Sequence, residues 1–104
     1  MSHYLFLVTV PTIEEGKSIA RILVEANFAA CVNIIQNIFS IYTWKGNIEE
    51  NNEHLLLIKT TEEKSNLVIQ KINEIHSYDI PECIAFKIKK GSEKYLNWIK
   101  EVVE

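Results

Sequence analysis

Two short segments, residues 4–10 and 54–60, limit what this chain can fold into more than any other feature. In the first, Tyr4, Phe6, Val8 and Val10 alternate with Leu5 and Leu7; in the second, Leu56 and Ile58 alternate with Leu55 and Leu57. Successive side chains of a strand point to opposite faces, so a segment apolar in both alternating sets predicts a strand covered on both sides. Such strands belong in the middle of a sheet. Further strands must flank them, and something apolar must lie above and below.

The rest of the chain supplies these partners in order. Thr12 followed by Glu15 forms a capping box, and Glu14 and Glu15 suit a first helical turn. Ile19, Ile22, Leu23 and Ala26 recur at helical spacing, and Asn27 is placed to end the helix in a left-handed cap. Residues 30–44 read as one long extended segment, interrupted by a bulge or bend at Gln36-Asn37. Lys45-Gly46-Asn47 turns the chain, and the acidic stretch 48–53 is expected to be a solvated loop before the second central strand. Thr60 or Thr61 offers the next N-cap, and Val68, Ile72 and Ile75, with Leu67 and Ile69, mark a second helix ending at His76. Pro81 fixes its own φ and biases Ile80 to an extended backbone, so the chain after His76 is a connection feeding a strand. Ile84, Phe86 and Ile88 give that strand one strongly apolar face. After Gly91-Ser92, the run Tyr95, Leu96, Trp98, Ile99, Val102 and Val103 predicts a short terminal helix docked on an apolar surface.

The order β, α, β, β, α, β, then a helix is the split βαβ pattern. The expected fold is α+β and ferredoxin-like, βαββαβ with an added C-terminal helix, with residues 1–104 as a single domain around a four-stranded antiparallel sheet. Its first and third strands are central, as the two apolar segments require. Its two main helices cover one face only, and the terminal helix is too small to cover the other. The long second strand, rich in Ile, Phe, Tyr and Trp, would be an open edge. Both surpluses predict an obligate oligomer.

Composition removes several function classes. The net charge is −3, and the eleven basic residues are scattered apart from Lys87, Lys89 and Lys90, which argues against nucleic acid as a partner. No apolar run approaches the roughly 20 residues of a membrane helix, and the N-terminus lacks a signal-peptide pattern, so a cytoplasmic location without membrane attachment is expected. Cys31 and Cys83 are the only cysteines and have neither disulfide-framework nor zinc-finger spacing. There is no C-x-x-C loop after the first strand and no aromatic residue in the third. No serine elbow, phosphate-cradling glycine loop or acid and base pair occurs, so neither an enzyme nor an organic cofactor is expected.

Candidate chemistry concentrates in His76-Ser77-Tyr78-Asp79-Ile80-Pro81-Glu82-Cys83, which places an imidazole, a phenol, carboxylates and a thiol on one connection. His76 is either a metal donor or a helix cap. Glu82 shares its strand face with Ile84 and Phe86 while Cys83 points the other way, so the two cannot serve one site. A carboxylate at the rim of an apolar face needs a partner, either Lys59 or a bound cation. Cys31 is a soft donor for copper or zinc, or a small core residue. Glu49, Glu50 and Glu53 can hold a hard cation weakly or simply remain solvated.

Ala29-Ala30-Cys31-Val32-Asn33-Ile34, Ser40-Ile41-Tyr42-Thr43-Trp44-Lys45-Gly46, Leu57-Ile58-Lys59-Thr60, His76-Ser77-Tyr78-Asp79-Ile80-Pro81-Glu82 and Tyr95-Leu96-Asn97-Trp98 together resemble the CutA family of divalent-cation tolerance proteins. The resemblance implies a homotrimer similar to PII signalling proteins, its long second and third strands reaching onto neighbouring subunits. It also implies a role in tolerance of copper or other divalent metal ions. Two site sets follow. In one, His76, with Glu82 or Cys31, lines a metal-responsive cleft between subunits. In the other, Tyr42, Trp44, Lys45, Lys59 and Tyr78 line a cleft for a small anionic ligand and the metal response is indirect, as it would also be for a non-catalytic scaffold. The chain departs from the family pattern at Ser77, where proline is usual, which is expected to loosen the turn after His76. Val8 and Ile75 stand where members proposed to ligate metal carry cysteine and histidine, leaving His76 alone of that set.

Overall fold

A computed structural model describes residues 2–104. The elements run β1 (His3–Val10), α1 (Ile13–Glu25), β2 (Cys31–Trp44), β3 (Asn47–Thr61), α2 (Glu62–Ile75), β4 (Cys83–Lys87) and α3 (Glu93–Val103). The sheet order is β2-β3-β1-β4 with every neighbouring pair antiparallel, so the two segments apolar on both faces are the central strands. This is the expected α+β, ferredoxin-like order with an added C-terminal helix. No helix among the described residues is long and apolar enough to cross a membrane.

Alternation decides which side of the sheet each residue serves. Phe6, Val8 and Val10 of β1 and Leu56 and Ile58 of β3 face α1 and α2, where they pack with Ile19, Leu23, Val68 and Ile72 into the buried core. At about 25 cal/mol per Å² of apolar surface removed from water, this layer is the main source of stability. Gly16 lets α1 settle onto it, since a Cβ there would stand 3.1 Å from Val10 and 3.3 Å from Leu56. On the opposite face, α3 buries Ile99 and Val103, and His3 Nε2 donates to Leu96 O at 2.9 Å.

Local signals behave largely as their chemistry predicts. Thr12 accepts a hydrogen bond from Glu15 N at 3.1 Å, and Asn27 (φ 61°) takes the left-handed position after α1. The β2–β3 register shifts between Ile35 and Ile38, where Asn37 (φ 62°) donates its backbone N–H to His54 Nδ1 at 3.1 Å. Lys45 and Gly46, both with positive φ, make the two-residue turn between the paired residues Trp44 and Asn47.

One expectation needs correction, and three others are made specific. The acidic stretch 48–53 is not a loop but the outer half of β3, laddered against β2 from Trp44↔Asn47 to Ile38↔Glu53. Tight pairing across a short turn holds it extended despite its charge, because backbone ladder bonds do not depend on side-chain polarity. Thr61 is the N-cap of α2 without a side-chain cap bond, while the Thr60 hydroxyl donates to Phe28 O at 2.6 Å. The apolar pair Ile84 and Phe86 faces away from α1 and α2 and stays half exposed, and Cys83 is the β4 residue packed on the core. Leu67 and Ile69 lie in α2 as expected, on its outer surface beside the packed Val68 and Ile72.

Candidate functional site

His76 ends α2, and its ring is fully buried. Nε2 donates to Thr9 O at 2.8 Å, and Nδ1 accepts the backbone N–H of Tyr78 at 3.0 Å. These two bonds define a neutral imidazole with the proton on Nε2 and no free lone pair. Its work is to tie the connection after α2 to the end of β1. Glu15 completes the fastening: its carboxylate accepts from Ser77 N at 2.9 Å and from Ser77 Oγ at 2.7 Å, and lies 3.5 Å from His76 Nδ1. The capping box is therefore one-sided, since the Glu15 carboxylate serves Ser77. Ser77 also tightens the turn that it was expected to loosen.

Held in this way, Tyr78 packs on His76 with ring centroids 4.8 Å apart and sends its hydroxyl to Glu53 Oε2 at 2.7 Å. Glu53 is buried, on the outer half of β3, on the side away from α1 and α2. Burial is the largest cause raising the Tyr78 phenol above its usual range, followed by the hydrogen bond to Glu53 and the charges of Glu53, Tyr42 and Glu15. Glu82 is also raised, first by burial and then by the charge of Glu53. Tyr42 belongs to the same neighbourhood and is hydrogen-bonded to Asn51 across the ladder. The result is an acidic, aromatic wall formed by Glu53, Tyr78, Glu82 and Tyr42. Neither Glu53 nor Glu82 enters an ion pair among the described residues.

The remaining candidates lie elsewhere. Cys31 and Lys59 face each other at the base of the β2–β3 ladder, with Lys59 Nζ 3.9 Å from the sulfur and also bonded to Asn33 Oδ1. Lys59 therefore does not partner Glu82. Trp44 and Lys45 sit at the hairpin tip, with the ammonium 5.8 Å from the indole centroid. The metal set His76, Glu82 and Cys31 is not gathered within one chain: among the described residues, no group of three or more His, Cys, Asp or Glu side chains is placed to hold a metal ion. The anionic-ligand set likewise divides into Tyr42 with Tyr78, Trp44 with Lys45, and Lys59 by itself.

Sequence reasoning saw Glu15 only as a helix cap and weighed Glu53, with Glu49 and Glu50, as a weak hard-cation ligand or a solvated loop residue. Both had a readable signal. Glu15 lies at the helix end nearest the β1 terminus, and Glu53 continues the outward alternation of Leu55 and Leu57.

The architecture has close counterparts among known proteins. A family model described as CutA1 divalent ion tolerance protein matches residues 4–102. The chain belongs to the CutA1 family. It is 42% identical over 95 residues to the divalent-cation tolerance protein CutA of Thermus thermophilus, covering 91% of this chain and 92% of that protein. It is 45% identical over 93 residues to the chloroplastic protein CutA of Arabidopsis thaliana, covering 89% of this chain but only 51% of that one, so it spans about half of that relative. The crystal structure of CutA from Xylella fastidiosa superposes with a TM-score of 0.97 at 36% identity, covering 100% of both chains. A CutA from Archaeoglobus fulgidus, described as periplasmic, superposes at 0.95 with 39% identity over 98% and 99% of the two chains. Family names thus describe tolerance proteins rather than enzymes, in more than one compartment.

Proposed function

We propose that this CutA1 protein acts in divalent-cation tolerance as a homotrimer, and that the wall of Glu53, Glu82, Tyr78 and Tyr42 is where a divalent cation is met. The observation that carries this reading is the unbalanced carboxylate pair. Burial and the Glu53 charge both press Glu82 toward its neutral form, and no cation among the described residues pairs with either. A divalent ion is the charge that such a pair lacks, and carboxylate oxygens are hard donors suited to it. His76 supports the wall without ligating, because both its ring nitrogens are engaged. Copper is a poorer fit than a harder ion, since the soft donor Cys31 belongs to a different cluster.

The same electrostatics weigh against a small anion beside Tyr78, where the surrounding charges are negative. An anion would need Lys45 and Lys59 brought together from different subunits.

Support for a trimer comes from surface that one chain leaves bare. Phe39, Ile41 and Ile48 on the projecting β2–β3 hairpin are 61%, 64% and 75% exposed. β2 is a free sheet edge, and Ile84 and Phe86 lie open on the sheet face that α3 only partly covers. Apolar strands at an open edge are natural docking surfaces for further copies.

Calorimetric titration with Mn(II), Zn(II) and Cu(II), beside light scattering, tests the proposal. A trimer is expected, with cation affinity lost in a Glu53→Gln, Glu82→Gln double variant and largely kept in His76→Ala. At 100 times its dissociation constant, a cation should add ~2.7 kcal/mol to stability. Affinity unchanged by the double variant removes the wall from the reading, and a monomer removes the trimer.

A further inference from the structure

The two cysteines occupy opposite chemical situations. Cys83 turns toward the core, where burial pushes its thiol up to about 11, so almost none of it is thiolate near neutral pH. Cys31 is half-buried on the other face of the sheet, reachable by a small oxidant. Two polar groups converge on its sulfur. Lys59 Nζ stands 3.9 Å away and Asn33 Oδ1 3.8 Å away. A lysine nitrogen this near a thiol is a reaction partner within reach once the sulfur is oxidised.

Lys59 and Cys31 are also held in fixed register. They are directly paired residues of adjacent antiparallel strands, and Ala30 N donates to Lys59 O at 2.9 Å just beside them. Paired side chains in such a ladder have Cβ atoms ~5 Å apart, so rotation of the lysine alone can bring nitrogen onto sulfur.

We propose that Cys31 is a peroxide-sensitive modification site at which Lys59 closes a reversible sulfur–nitrogen crosslink between β2 and β3. The thiolate attacks one peroxide oxygen, the O–O bond breaks, and the peroxide is reduced to water while the thiol becomes a sulfenic acid. The hydroxide released from the peroxide completes that water by taking a proton from the Lys59 ammonium, and the resulting amine attacks the sulfur. The S–O bond breaks, the hydroxyl leaves with an amine proton as a second water, and an S–N bond remains. One external thiol attacks that sulfur and releases the amine, leaving a mixed disulfide; a second thiol restores Cys31 and departs as a disulfide. Cys83 takes no part, since it lies on the opposite face of the sheet. The crosslink would fix the base of the hairpin and remove the Lys59 charge, independently of the cation reading above.

Treatment of the full chain with hydrogen peroxide, followed by peptide mass spectrometry, tests this. A Cys31–Lys59 joined peptide lacking two hydrogens is expected, reversed by dithiothreitol and absent in Cys31→Ser, with Cys83 still free. In Lys59→Arg, trapping of the sulfenic acid at Cys31 by dimedone should rise several-fold over the unmutated chain. Reductive dimethylation of the lysines, which needs no variant, should abolish the joined peptide, because a tertiary amine cannot form the neutral S–N product. Equal dimedone trapping in the two proteins, or oxidation of Cys83 ahead of Cys31, overturns the proposal.

Discussion

The β2–β3 ladder contains two regions of similar apolar composition with opposite fates. At its base, Leu56 and Ile58 are fully buried under α1 and α2. Beyond the bulge at Ile35 and Ile38, the projecting hairpin leaves Phe39, Ile41 and Ile48 mostly exposed. The backbone pairing is the same kind in both; only the cover differs. What distinguishes the regions is therefore the length of the helices, which end before the hairpin begins, and not the propensity of the strands. An apolar strand that its own fold cannot cover is a surface for another chain.

The comparison can be broken most sharply by truncation. Phe6→Ala in the core that covers the ladder base should cost ~3–5 kcal/mol in denaturant unfolding, whatever the protein concentration. Ile41→Asn on the hairpin should act through association, shifting sedimentation toward smaller species and making stability depend on concentration. In a chain that is monomeric, the same change would stay within ~0.5 kcal/mol. If both variants lose stability equally at every concentration, the two regions do not differ as described.

A smaller effect is expected where the wall is fastened to the core. His76→Ala removes the bonds to Thr9 O and Tyr78 N–H, and buried groups left unpaired cost ~1–3 kcal/mol. Amide exchange should show Tyr78 N–H losing protection while the α1 interior keeps it. Uniform loss across both would mean that His76 belongs to the general core.

The smallest effect concerns pH. Glu82 is held above the usual carboxylate range by burial and by Glu53, so the folded chain binds this proton more tightly than the unfolded chain. Its contribution to stability is fully present below the unfolded value and is lost as pH rises through the raised folded value. Glu82→Gln should flatten that fall in unfolding titrations across the mildly acidic range. The change is modest because the side chain remains largely in contact with water. Identical slopes in both proteins would mean that Glu53 and Glu82 do not interact.

Much of this was legible from residues alone. Double-sided apolarity identified β1 and the inner half of β3 as central, Gln36-Asn37 announced the bulge, and Asn27 and Lys45-Gly46 carried the positive-φ positions. The candidate site was only half legible. His76 and Tyr78 stood out because reactive side chains crowd their segment, but Glu15 resembled an ordinary helix cap and Glu53 a solvated charge. A carboxylate's role depends on what lies across from it, and those partners are 62 and 25 residues away in sequence.

The sequence by itself determined the order of elements, the two central strands and the existence of apolar surface beyond what two helices can hide, because periodicity and local turn chemistry act over a few residues. Only the tertiary structure decided that the acidic stretch is a strand, that His76 spends both ring nitrogens on holding a turn, and that Cys31 meets Lys59 instead of a metal set. Each depends on a contact made after distant segments come together, where hydrogen-bond geometry and desolvation choose among side chains that looked equally available in the linear chain.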